Sequence, residues 1–176
     1  MGQETPDQSK KLFLLDAYAL IFRAYFAFAK NPRVTSGGID TSAVYGFTSA
    51  LLDLLSKENP THIAVCFDLP QPTERHEIFP EYKANRDATP EAIKLAVPYI
   101  HRLLEAFKIP ALGVPGYEAD DVIGTLAEYS QTAGEGGGLF DEGSQIPFLV
   151  LSGDHDFNQL QKWSNVKQYA PAQKKW

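Results

Sequence analysis

A chain of 176 residues, 44% hydrophobic and 22% charged, has the size and composition of a single globular domain and excludes wholesale disorder. Its longest apolar runs, 63–67 and 148–151, fall far short of the ~20 residues that a membrane helix needs, so no membrane partner is expected. The net charge of −6 excludes a uniformly basic surface, and any nucleic-acid role must rest on how the charges are distributed.

Residues 1–10 are polar, carry Pro6 and lack an apolar centre, so they read as a disordered leader rather than a secretory signal. Met1-Gly2 does not open a myristoylation signal, because Pro6 stands where Ser or Thr is required. Residues 11–15 form an apolar run that ends in Asp16 and read as a buried strand. Helical stretches follow at about 19–29 and 42–57. The β-branched run 61–67 ends in Asp68 and reads as a second strand. It contains the single cysteine, Cys66, read as a buried inert thiol; with no disulfide to form within the chain, a cytoplasmic location is expected.

The segment 69–88 is charged, carries prolines and is too long for an ordinary connection, which points to a functional loop. A helix is expected over 90–107, with Thr89 as its cap and Pro90 at its first position. Pro98 predicts a kink or break near Val97. A third strand is expected at 109–114, a helix at 119–132, a Gly-rich surface insertion at 134–144, a fourth strand at 146–151, a short helix after Asp156, and a weak fifth strand at 166–169. Strands and helices alternate, so the expected fold is α/β, an open and largely parallel sheet with helices on both faces.

The acids follow the strands. Asp16 comes after the first, Asp68 after the second, Glu118, Asp120 and Asp121 after the third, Asp154 and Asp156 after the fourth. In an open parallel sheet the ligand crevice lies beyond the carboxyl ends of the strands. A lone Asp there serves as a turn or cap residue as readily as a ligand. Seven carboxylates delivered to one edge, however, would repel strongly unless some were protonated or a cation neutralised them. They also exceed the whole net charge of −6, so the rest of the chain is close to neutral.

Hard oxygen donors without a Cys or His cluster suit magnesium or manganese. The four histidines lack zinc-ligand spacing. Such a site suits phosphoryl chemistry assisted by two ions. Ser152, before Gly153-Asp154, has no His-plus-acid partner in the sequence and is not expected to be a nucleophile. The loop 69–88 carries Arg75, His76, Tyr82, Lys83 and Arg86, cations to hold phosphates and an aromatic face on which a base can stack. Its acids Glu74, Glu77, Glu81 and Asp87 leave a solvated surface loop open as the alternative.

These residues resemble a known family. Leu15-Asp16-Ala17-Tyr18, Phe22-Arg23-Ala24-Tyr25-Phe26-Ala27 and Ala43-Val44-Tyr45-Gly46-Phe47 are similar to the opening of the 5′-to-3′ exonuclease (5′-nuclease) domain of bacterial DNA polymerase I, of the flap endonuclease family. Phe67-Asp68, Arg75-His76-Glu77, Tyr82-Lys83-Ala84-Asn85-Arg86, the block Gly116 to Thr125 and Gly153-Asp154-His155-Asp156 continue the match in order, from about Lys11 to Tyr169.

The resemblance implies a PIN-like domain over 11–176 with an arch-like loop, and two Mg²⁺ or Mn²⁺ ions in the complete domain. It implies cleavage of DNA near a 5′ flap or nick, in replication and repair. It makes Asp16, Asp68, Glu118, Asp120, Asp121, Asp154 and Asp156 metal-site acids and Lys83 and Arg86 catalytic cations. Tyr82 becomes a stacking residue, and Arg23 and Arg75 further DNA contacts. Glu74 departs from the family where an aromatic residue is common, and His155 where Lys is usual. The chain reaches Trp176 before the family's helix-hairpin-helix region and last aspartate pair, so impaired activity of this chain alone is expected; whether a polymerase domain follows in a full-length product is left open by the sequence. Three other readings compete: a PIN-type ribonuclease without the arch-like loop, a dehalogenase-type phosphatase, disfavoured because Tyr18 stands where that family needs a second Asp, and a non-catalytic DNA-junction binder.

Overall fold

The computed structural model describes residues 11–85, 87–132, 148–153 and 155–169; the expected leader and the 134–144 insertion lie outside them. Five strands, β1 (Leu12–Asp16), β2 (His62–Cys66), β3 (Ala111–Leu112), β4 (Phe148–Leu151) and β5 (Val166–Tyr169), form one sheet in the order β3-β2-β1-β4-β5. Every pairing is parallel, with Asp16 opposite Cys66 and Leu15 opposite Leu151. The helices are α1 (Ala17–Ala27), α2 (Ser42–Glu58), α3 (Glu74–Ile78), α4 (Glu91–Ala106) and α5 (Ala119–Thr132), and a 3-10 helix spans His155–Lys162.

Side chains alternate along a strand, and this divides the core in two. Phe13, Leu15, Val65 and Phe67 pack under α1, α2 and α4, while Leu12, Leu14, Ala64, Cys66 and Val150 pack under α5 and the 3-10 helix. A sheet buried on both faces needs apolar residues at consecutive positions, and β1 and β4 are buried throughout. Gly46 fixes the contact between the first two helices. A Cβ there would lie 2.8 Å from the Cβ of Ala24, so only glycine lets α1 and α2 approach this closely.

Three expectations are corrected. The break near Val97 does not occur: α4 runs on through Pro98. Pro98 and Lys94, whose carbonyl loses its helical partner, are both exposed, so water can donate to the orphaned carbonyl. Pro90, not Thr89, takes the N-cap position of α4. The third strand is two residues long: it lies at the edge of the sheet, and Pro110, just before it, has no amide to donate to a neighbour, though its carbonyl accepts from the Val65 amide at 2.9 Å. Within 69–88 the chain forms α3 and a series of turns, structure that the loop's polar composition gave no sign of.

Candidate active site

The strand order reverses at β1, whose neighbours are β2 on one side and β4 on the other. In open α/β sheets, crevices form at the carboxyl ends of strands that flank such a reversal. Asp16 ends β1 and also caps α1, its Oδ1 accepting from the Ala19 amide at 3.0 Å. No loop therefore separates strand from helix, and the carboxylate is 9% exposed. Its other oxygen accepts from the Ser152 hydroxyl, which follows β4, at 3.0 Å. Asp68 lies two residues beyond β2, and its Oδ1 accepts from the Ala119 amide at 2.7 Å. A carboxylate from one segment thus satisfies the N-terminus of α5, where the helix dipole favours negative charge.

Gly116 turns the chain into α5 with φ +83, a conformation that side-chain-bearing residues avoid. Glu118, just before the helix, is 6% exposed and gathers three donors. Lys83 Nζ stands 2.6 Å from Oε1, Arg75 Nη1 3.5 Å from Oε2, and the Tyr82 hydroxyl donates to Oε2 at 3.2 Å. Asp121, one helical turn on, accepts both ends of the Arg75 guanidinium at 2.7 Å each. It also accepts from the Glu118 amide at 3.0 Å. The guanidinium holds the Asp121 carboxyl below the usual carboxylate range, burial opposing it, and Asp121 in turn keeps Arg75 protonated. Burial, foremost, pushes the Tyr82 phenol up, so it acts as a donor.

Together Asp68, Pro72, His76, Lys83, Tyr117 and Glu118 line part of a crevice of about 320 Å³. His76 Nδ1 sits 3.2 Å from the Thr73 amide and 2.8 Å from its hydroxyl, which seats the start of α3, and its ring meets Tyr82 edge-on at 5.3 Å.

The structure brings Asp16, Asp68, Glu118 and Asp121 to the same edge of the sheet and adds Arg75, Tyr82 and Lys83 to the last two. Asp120 is half-buried in the first turn of α5, and Asp156 is exposed in the first turn of the 3-10 helix. Asp154 and Arg86 lie outside the described residues. Arg23 lines a groove of about 570 Å³ with Leu20, Asp53, Lys57, Leu151 and Tyr169. Among the described residues, no three His, Cys, Asp or Glu side chains are already arranged to hold a metal ion. Glu118 and Asp121 face Arg75 and Lys83, and Asp68 an amide. The donor set, all carboxylate oxygen, nevertheless fits a hard divalent cation.

Sequence reasoning missed two partners. Ser152 reads in the sequence only as a rejected nucleophile, whereas it donates to Asp16; the signal is its place after a strand that neighbours β1. The amide of Ala119 as the partner of Asp68 could be read only from the folded chain.

Comparison with known proteins follows the same lines. The sequence model of the 5'-3' exonuclease, N-terminal resolvase-like domain matches residues 11–175. DNA polymerase I of Mycobacterium tuberculosis (strain ATCC 25618 / H37Rv) is 43% identical over 149 residues, which are 85% of this chain and 15% of that protein. A 5'-3' exonuclease of Aquifex aeolicus (strain VF5) is 43% identical over 119 residues, 68% of this chain and 40% of that protein. The chain therefore spans less than half the length of these relatives. Among solved structures, the T5 D15 protein co-crystallized with metal ions superposes with a TM-score of 0.63 at 22% identity, over 94% of this chain and 57% of that one. That likeness extends to the fold. With the family's sequence model matched from the first described residue to beyond β5, the chain belongs to the 5'-3' exonuclease N-terminal, resolvase-like domain family.

Proposed function

We propose that this chain forms the catalytic part of a divalent-metal-dependent phosphodiesterase, a 5′-to-3′ exonuclease and flap endonuclease acting on DNA. The observation that carries this reading is the convergence of Asp16, Asp68, Glu118 and Asp121 at the strand-order reversal, with Lys83 and Arg75 reaching the same place from a separate segment. Asp16, Asp68, Glu118, Asp120, Asp121, Asp154 and Asp156 would hold Mg²⁺ or Mn²⁺, two ions in all. Such ions supply activation of water and stabilisation of the leaving oxygen.

The chain's own residues do the rest. Asp16 is held in orientation by Ser152 and the Ala19 amide. Lys83, with Arg86, would steer the scissile phosphate, and Tyr82 would stack on an unpaired base beside it. Water adds to phosphorus, and the bond to the leaving sugar oxygen breaks as that oxygen gains a proton. A variant of the bacteriophage T5 flap endonuclease has been solved in a pseudo-enzyme-product complex with DNA and metal ions, which supports DNA as the substrate. Relatives that are DNA polymerases support a polymerase region in a longer product and a cytoplasmic role in replication and repair.

The competing reading is a non-catalytic DNA-junction binder. One experiment separates the two. The protein carrying this chain is given a 5′-flap DNA and the matching RNA, with Mg²⁺ or with EDTA. Cleavage of the DNA flap that requires Mg²⁺ and is lost in Asp16→Ala is expected. Binding without cleavage would favour the junction binder, and preferential RNA cleavage a ribonuclease.

A further inference from the structure

Two cations of the chain itself already balance the charge of Glu118 and Asp121. Arg75 grips Asp121 through both nitrogens at 2.7 Å, and Lys83 meets Glu118 at 2.6 Å. Asp121 accepts both ends of the guanidinium fork and the Glu118 amide as well, so an ion must compete with these donors for the carboxylate's lone pairs. Beyond these ion pairs, the segment that carries the cations is tied to the rest of the fold by the Tyr82 hydroxyl on Glu118 at 3.2 Å and by the Glu74 amide on the Gly116 carbonyl at 3.4 Å. No residue of α3 is buried, and Ile78 and Phe79 are 77% and 55% exposed. Thr73, at 6% exposure, marks its fixed end. Lys83 also adopts φ 60, the left-handed region that side-chain-bearing residues enter at a cost. The ion pair with Glu118 offsets that strain, and loss of the pair releases it.

We propose that Arg75 and Lys83 form a latch on the metal-site acids: their ion pairs with Asp121 and Glu118 and the binding of a divalent ion exclude one another. An ion then frees the segment 74–84 and turns its cations toward an incoming phosphate. This deepens the metal-dependent reading above and rests on it. The coupling is reciprocal, so weakening the latch must tighten metal binding. A residue that merely orients Asp121 as a ligand would do the opposite on removal, since lost support lowers metal affinity.

The test titrates the 176-residue chain and its Arg75→Gln variant with Mn²⁺, following free Mn²⁺ by electron paramagnetic resonance. In parallel, amide hydrogen exchange is read at Phe79, Tyr82 and Ala84, which are bonded within the segment to Arg75, Phe79 and Glu81. Arg75→Gln should bind Mn²⁺ at least about fivefold more tightly, and saturating Mn²⁺ should speed exchange at those three amides in the unaltered chain. Should Arg75→Gln fail to fold, Lys83→Met carries the same expectation. Both results are required. Equal or weaker Mn²⁺ binding by the variant, or exchange that is unchanged or slowed, overturns the latch and leaves the metal site standing. An unaltered chain that binds no Mn²⁺ removes both.

Discussion

Asp68 caps a helix that begins 51 positions later in the chain: its Oδ1 accepts from the Ala119 amide at 2.7 Å. The acid is therefore structural before it is anything else, holding the start of α5 against the end of β2. Removing a charged cap from a helix start costs about 1 kcal/mol. Asp68→Ala should lose that much stability in EDTA, and Asp68→Asn, which keeps an acceptor, less. Urea denaturation of the metal-free chain measures both, and an Asp68→Ala variant as stable as the original would show that the cap contributes nothing.

Ser152 matters through Asp16. Its hydroxyl is fully buried and donates to a carboxylate oxygen at 3.0 Å, while Gln168 donates to its carbonyl at 3.0 Å. Ser152→Ala removes one donor from a largely buried carboxylate, and a hydrogen bond to a charged group is worth about 1.5 to 3 kcal/mol. Ser152→Thr retains the hydroxyl and should recover part of the loss. Equal midpoints for Ala and Thr in denaturant would argue against this hydrogen bond.

Burial pushes the Cys66 thiol up from 9.0 to about 12, the nearby charge of Asp16 adding to it. The folded chain thus keeps a proton that the unfolded chain releases. Stability from this source is intact below pH 9.0 and falls as pH rises toward about 12, because the unfolded state then binds fewer protons. Cys66 should resist a disulfide exchange reagent at about pH 8 and react at once in denaturant. Rapid labelling of the folded chain would contradict the burial.

Two glycines should respond oppositely to alanine. At Gly46 the new Cβ would meet Ala24 at 2.8 Å, forcing α1 and α2 apart at about 1 to 3 kcal/mol. At Gly124, within α5, nothing lies within 4 Å, and alanine should gain about 0.5 to 1 kcal/mol. Thermal melts of the two variants decide it. A rise in midpoint for Gly46→Ala would mean the helices have slack that the distances do not show.

Much of this architecture was legible because buried parallel strands announce themselves as apolar runs, and here each of the first two ends directly in an acid. Asp16 and Asp68 could therefore be placed at the carboxyl edge before any fold was known. What stayed hidden is what long-range packing decides. Arg75 and Asp121 lie 46 positions apart, and nothing local says that a cation in a polar loop will turn back on an acid rather than face a substrate. Pro98 misled for a related reason. A helix-breaking residue is judged locally, but α4 is held by the burial of Ile93, Ala96, Ile100 and Leu104 on the opposite side, and that packing outweighs one missing bond.

The strand order also sets a schedule. β1 is made well before β4, yet it occupies the middle of the sheet and needs β4 as its second neighbour. Asp16 waits for Ser152, 136 positions later. On the ribosome, at roughly 5 to 20 residues per second, the acid edge is left half-built for many seconds, with one flank of β1 unpaired. A sheet that keeps its central strand waiting is slow to nucleate and open to mispairing in that interval. A nascent chain of this kind consequently spends that time unable to assemble the acid edge, and the site becomes whole only when β4 closes against β1.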